Sequence, residues 1–242
     1  MDFHSFLYGG VYALGFLLYA LCPSLKFSRL QKLNLALAAG NGAIIGGRLG
    51  YVCFYEPLYY INNPFEIICI WQGGMSYHGG VIGLIFGLYL YVNLNKLSVN
   101  LFFESLNRAC LIALVIIPLG RICNFYNGEL WGRPTGLNFG VIFEGIDDQP
   151  RHPVQLYEAI LEGPILGLIL LELAVKGYLK KTSYLSCYYL IVYSILRFFS
   201  EFLREPDIVV GFIGIFTLGQ ILCLTYVLLT IGFMKFLNSP HD

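Results

Sequence analysis

Long apolar stretches separated by short polar ones dominate this chain. They fall at about residues 5–23, 33–55, 79–95, 101–120, 158–175, 184–203 and 211–236. A bilayer core of ~30 Å takes about 20 mostly apolar residues per helix, so the pattern predicts an all-α, polytopic membrane protein with about seven transmembrane helices. The first stretch lacks the basic leader and small-residue cleavage site of a secretory signal peptide and is expected to stay as a helix. No repeat and no Ser- or Pro-rich linker interrupts residues 1–242, which are expected to form a single integral membrane domain.

Composition sharpens this picture. Of 242 residues, 57% are hydrophobic and only 12% charged, against roughly 25% charged in an ordinary soluble domain. Mean hydropathy is +0.68. These values exclude a disordered chain, a disulfide-stapled secreted domain and a nucleic-acid-binding domain. The seven cysteines are scattered through apolar stretches without zinc-ligand spacing, so neither a metal nor a cofactor is expected.

The formal net charge is zero, and only the placement of the charges informs. Lys26, Arg29, Lys32, Lys96, Arg108, Lys176, Lys180, Lys181 and Lys235 fall in or beside alternate loops. They predict one basic, cytoplasmic side, with the N-terminus out, the C-terminus in and a small outer loop region. The remaining basic residues are all arginines: Arg48, Arg121, Arg133, Arg151, Arg197 and Arg204. A planar, permanently charged fork suits phosphate or carboxylate. Charges in membrane-spanning segments are costly and mark function.

Four segments carry the candidate chemistry. Arg48 lies deep in the second stretch. Arg197, Glu201 and Arg204 follow one another at spacings that place them on one helical stripe. His78 stands between two Gly-Gly pairs in Trp71–Gly80, where an imidazole with an ordinary pKa of ~6.5 can serve as a base. The densest polar segment runs from Gly120 to Thr135; if helical, it puts Arg121, Asn124 and Gly128 on one face. Arg151–Glu158 is a further polar cluster, entering the fifth stretch.

The run Gly120–Gly132 resembles the signature of the prolipoprotein diacylglyceryl transferases, Gly-Arg-x-x-Asn-Phe-x-Asn-x-Glu-x-x-Gly. The resemblance extends in order through Tyr8-Gly9, Gly46–Tyr51, Gly73–Gly80, His152–Glu158 and Arg197–Asp207. It implies an enzyme of the bacterial cytoplasmic (inner) membrane. That enzyme moves the diacylglyceryl group of phosphatidylglycerol to the lipobox cysteine of a prolipoprotein signal peptide and releases glycerol 1-phosphate. On this resemblance, His78, Arg121, Arg197 and Glu201 are the expected catalytic residues. Arg121, Asn124, Asn127, Glu129, Gly132, Tyr8, Arg204 and Arg48 are the expected substrate contacts. Three departures stand out: Asn107 where the family usually carries Asp, Cys123 where Gly is common, and a short stretch between Gly132 and His152. A catalytically reduced, lipid-binding paralogue and a small secondary transporter are the alternatives, although no internal symmetry of the transporter kind is visible.

Overall fold

A computed structural model describes residues 3–22, 27–207 and 210–239; Lys26, one of the residues that set the expected orientation, lies outside them. The protein is mostly helical. The expected stretches become α1 (Phe3–Leu21), α2 (Arg29–Phe54), α4 (Tyr77–Leu94), α5 (Val99–Tyr126), α6 (Val154–Ile160) continued by α7 (Leu166–Val175), α8 (Tyr184–Ser200) and α9 (Leu218–Asn238), with a short α3 (Pro57–Asn62) between α2 and α4. Helix starts follow local chemistry. Ser28 with Gln31, and Thr217 with Gln220, each form a reciprocal capping box, and Ser76 caps α4.

Length and apolar content suffice for a membrane crossing in α4, α5 and α9. Three of the other stretches depart from the simple pattern for visible reasons. α2 carries Arg29, Lys32 and Arg48, and α8 has 17 residues. A π-helical turn, Leu161–Ile165, separates α6 from α7 and contains Pro164, which has no N–H to give to the regular ladder. The last stretch starts its helix at Leu218 rather than near 211, because Phe212–Ile213 (β1) and Phe216–Thr217 (β2) form an antiparallel hairpin first.

The chain divides into two compact units, residues 16–109 and residues 1–15 with 110–242. The first is organised by α2 against α4. A Cβ built on Gly46 would lie 2.4 Å from the Gly79 carbonyl oxygen, and one on Gly83 would lie 2.1 Å from that of Gly42. Only glycine permits backbones this close, the means by which membrane helices associate without a hydrophobic drive. The contact fixes the loop before α4. Ser76 N–H donates to the Gly47 carbonyl at 2.9 Å. Arg48 donates to the carbonyls of Glu66, Ile67, Gly73 and Gly74 at 2.6–3.2 Å. Gly73 and Gly74, at φ +87° and +74°, turn the chain into α4. His78 emerges buried in the first turn of that helix.

In the second unit, Gly163 of the π turn meets α5 at its internal proline: a Cβ there would lie 2.4 Å from Pro118 Cγ. This contact sets the π turn beside Arg121, one turn further along α5.

Replacing Gly83 with alanine must push α4 off the α2 backbone, an overpacking cost of about 1–3 kcal/mol. We expect the Tm in detergent to fall by roughly 5 °C. Gly40→Ala, on α2 where nothing lies within 4 Å of the added methyl, should leave Tm unchanged or raise it. Equal Tm values for both variants would remove the close contact from the account.

Candidate active site

Burying a lone charge in an apolar bundle costs several kcal/mol, so charges there must come in compensating sets. The second unit holds such a set, three arginines and three glutamates. Arg121 on α5 grips Glu162 of the π turn with two nitrogens, Nε at 2.8 Å and Nη2 at 3.0 Å. Its Nη1 reaches Glu158 on α6 at 3.1 Å. Arg197, in the last turn of α8, pairs with Glu158 at 2.9 Å and with Glu201. Arg204 approaches Glu158 at 3.8 Å. Thr217 donates to Glu201 at 3.0 Å, and Gly219 leaves room for that carboxylate. Glu158 is therefore shared by three arginines arriving from three segments.

A second cluster lies one turn further along α5. Asn124 is three residues beyond Arg121 and therefore on the same side of the helix. Its amide donates to the Tyr8 hydroxyl at 2.6 Å and to Glu129 at 3.1 Å. Tyr8, on α1, donates to Glu129 at 2.5 Å, and Asn127 donates to the other oxygen of that carboxylate at 3.2 Å. The chain turns back for this purpose. α5 ends at Tyr126, Gly128 takes φ +65°, and Glu129 N–H returns to the Asn124 carbonyl at 2.9 Å. Gly128 thus ends the helix and does not share a face with Arg121 and Asn124, because a left-handed residue cannot continue it. Gln155, one turn before Glu158, donates to the Glu129 carbonyl at 2.6 Å and joins the two clusters.

An irregular backbone ladder ties together the segments that follow α5, precede α6 and follow α8. Gly132 N–H donates to the His152 carbonyl at 3.1 Å, Arg133 N–H to Leu203 at 2.9 Å, and Glu205 N–H to Trp131 at 3.1 Å. A side chain at 132 would collide with His152 and Leu203, so glycine is required at the signature's last position. Arg151 clasps the ladder, donating to the Gly132 carbonyl, Glu205 and Asp147 at 3.0, 2.8 and 2.6 Å. Hydrogen bonding from Arg151 holds the Asp147 carboxyl below its usual range.

Of the residues singled out from the sequence, the structure brings Tyr8, Arg121, Asn124, Asn127, Glu129, Gly132, Arg197, Glu201 and Arg204 into this one unit. Arg48 and His78 belong to the other. There, Arg48 spends its donors on the carbonyls of the loop before α4. Glu158 and Glu162, the counter-ions of the arginines, were not among the expected site residues. Their spacing from Gln155, three and then four residues, was the available signal.

Because the folded Asp147 has a lowered pKa, its pairing stabilises the clasp above the ordinary carboxylate value of ~3.9 and is lost as pH falls through the lower folded value. Asp147→Asn should therefore lower Tm at pH 7, and the gap from wild type should close below about pH 4. A gap that persists unchanged at pH 3 would contradict this.

The model of the prolipoprotein diacylglyceryl transferase family matches residues 2–236. Curated relatives bear the name phosphatidylglycerol–prolipoprotein diacylglyceryl transferase. That of Oleidesulfovibrio alaskensis is 43% identical over 91% of this chain and 84% of its own length. That of Rickettsia typhi is 47% identical over 82% and 76%, and that of Polynucleobacter necessarius 37% over 96% and 91%.

Proposed function

The chain belongs to the prolipoprotein diacylglyceryl transferase family, and from that membership we propose that it carries out the reaction its relatives are named for. It takes the diacylglyceryl group from phosphatidylglycerol and places it on the cysteine thiol of a prolipoprotein lipobox, the first step of lipoprotein maturation. The observation that carries this reading is the arginine–glutamate cluster joined through Gln155 to the Tyr8–Asn124–Glu129 cluster. One half suits a phosphate and the other the hydroxyls of a glycerol group.

The chemistry assigns work to each half. A carbon–sulfur bond forms at the glyceryl carbon as that carbon's bond to the phosphate oxygen breaks. The thiol must lose its proton, since the thiolate is the nucleophile. In this reading His78 is the base that takes it. The departing glycerol 1-phosphate gains charge, which prepositioned guanidinium groups stabilise most strongly where water is excluded. Arg121 and Arg197 fill this role, held in place by Glu158, Glu162 and Glu201. Asn124, Asn127, Glu129 and Tyr8 orient the glyceryl part. Arg48 acts through the loop that leads to His78, and Gly132 through the close backbone approach it permits.

The apolar helices make the chain a membrane protein. The finer arrangement is part of the proposal: about seven spans, the N-terminus out and the basic loops in the cytoplasm, in the bacterial inner membrane as one transferase domain. Support comes from the alternation of lysine-bearing loops.

Purified protein given phosphatidylglycerol and a lipobox peptide should yield a thioether-lipidated peptide and free glycerol phosphate. Release no greater than from heat-killed protein would sink the reading. Arg121→Ala should remain membrane-inserted yet lose at least ~100-fold of the release, the scale of removing one charge-stabilising group from an active site. His78→Gln should slow release and flatten its pH profile; full activity with an unchanged profile would place the base elsewhere.

A further inference from the structure

Arg108, on α5, is a buried cation with nothing paired to it. Its residue exposure is 8%, and Nη1 is fully buried without a hydrogen-bond partner. Among the described residues the guanidinium forms no hydrogen bond or ion pair, not even with Glu104 one turn earlier on α5. The arginines of the catalytic cluster have glutamates and Arg48 has loop carbonyls; Arg108 has neither.

What it does have is two aromatic rings. Its Cζ lies 5.6 Å from the ring centroid of Tyr19, on α1, and 5.2 Å from that of Phe27. Both residues are buried. The Tyr19 hydroxyl donates to the Ser105 carbonyl at 3.0 Å, which fixes that ring beside the turn of α5 that leads to Arg108. Rings attract a guanidinium, but they leave its five N–H donors without acceptor oxygens. They also recover only part of the cost of taking the charge out of water. Buried polar groups in folded proteins have partners, so this arrangement is an anion site with the anion still to come.

The place of Arg108 along the chain says which anion. α5 has 28 residues, more than the about 20 that cross a bilayer core. Residues 109–119 carry no charge, whereas residues 99–108 include Asn100, Glu104, Asn107 and Arg108 itself. Arg108 therefore stands where the apolar part of α5 begins, at the depth of a bilayer's phosphate layer. Phe27 directly precedes Ser28, the N-cap of α2, whose first turn carries Arg29 and Lys32. Two more cations and the positive end of a helix thus follow within a few residues of that ring.

We propose that Arg108, Tyr19 and Phe27 form a binding site for the phosphate of an anionic phospholipid on the lysine-bearing side of the membrane. The site is distinct from the arginine–glutamate cluster, whose residues all belong to the other unit. The rings hold the guanidinium in place, and its planar fork meets two phosphate oxygens at once. Basic pockets at helix ends take lipid headgroups by the same chemistry. The membrane reading carries this inference; the transferase reading does not enter it. Without lipid the buried charge is a burden on the fold, and with lipid it becomes an anchor.

Thermal unfolding of full-length protein, delipidated in a non-ionic detergent, tests this. Without lipid, Arg108→Met, which keeps an apolar stem and removes the charge, should melt at the wild-type temperature or above it. With dioleoyl phosphatidylglycerol added to the micelles, wild type should gain roughly 3 °C or more over that variant, so that wild type becomes the more stable. Lipid bound at the catalytic cluster raises both proteins alike and cancels in the comparison. Arg108→Lys, which keeps the charge without the fork, should fall between them. Native mass spectrometry should count one phosphatidylglycerol fewer on Arg108→Met than on wild type. A difference in Tm between wild type and Arg108→Met that is the same with and without the lipid overturns the proposal and makes Arg108 a cation held for its rings alone. An equal gain from inorganic phosphate, or from dioleoyl phosphatidylcholine, overturns the assignment to an anionic lipid.

Discussion

Two buried arginines, a third that is partly buried and three buried glutamates, held together in a mostly apolar protein, are the constraint on which the second unit depends. The six are placed by five stretches of chain, Glu201 and Arg204 sharing the one after α8. The set balances only when α5, α6, the π turn, α8 and the segment after α8 stand in register. Glu158 is the common partner, which ties Arg121, Arg197 and Arg204 into one object. A hydrophobic replacement of similar volume would hold these helices as well or better. Retention of so many charges is therefore best understood through what they bind.

Several local features serve that register. Pro118 inside α5 faces Gly163, so the π turn carrying Glu162 meets α5 within one turn of Arg121. π turns of this kind recur at functional sites because they re-aim side chains within an otherwise regular helix. Gly132 lets the chain lie against His152 and Leu203, and Arg151 clasps the same ladder from the side. The Tyr8–Asn124–Glu129 cluster is built in the same way, from a left-handed glycine that folds the signature back onto α5. Polar chemistry is thus held by backbone and packing rather than by mobile surface groups, as a site needing fixed charges requires.

Much of this was legible in the sequence. The helical content, the arginines in apolar stretches, the stripe Arg197–Glu201–Arg204 and the whole signature can be read directly, because charge in an apolar run is conspicuous. The counter-ions were harder to see. Glu162 sits in a run that reads as an ordinary apolar helix, and Glu158 reads as the end of a polar loop. Neither residue shows that it faces Arg121 until α5 and the π turn are packed together. Arg48 is an expected substrate contact by resemblance, and its donors go to four loop carbonyls; nothing in one dimension shows which loop an arginine in an apolar run will hold. Helix ends were misplaced where turn chemistry decided them, at Gly128 and at the β1–β2 hairpin.

The most direct test of the central claim is a double-mutant cycle on Arg121 and Glu162, read as unfolding stability in detergent. If the buried pair is held by mutual compensation, Arg121→Gln and Glu162→Gln should each cost several kcal/mol, about 3–5. The double variant should then be markedly more stable than their sum, with a coupling of at least ~1–3 kcal/mol. Additive losses would mean that the two groups do not depend on each other, and the account of the cluster as a single compensated unit would be wrong.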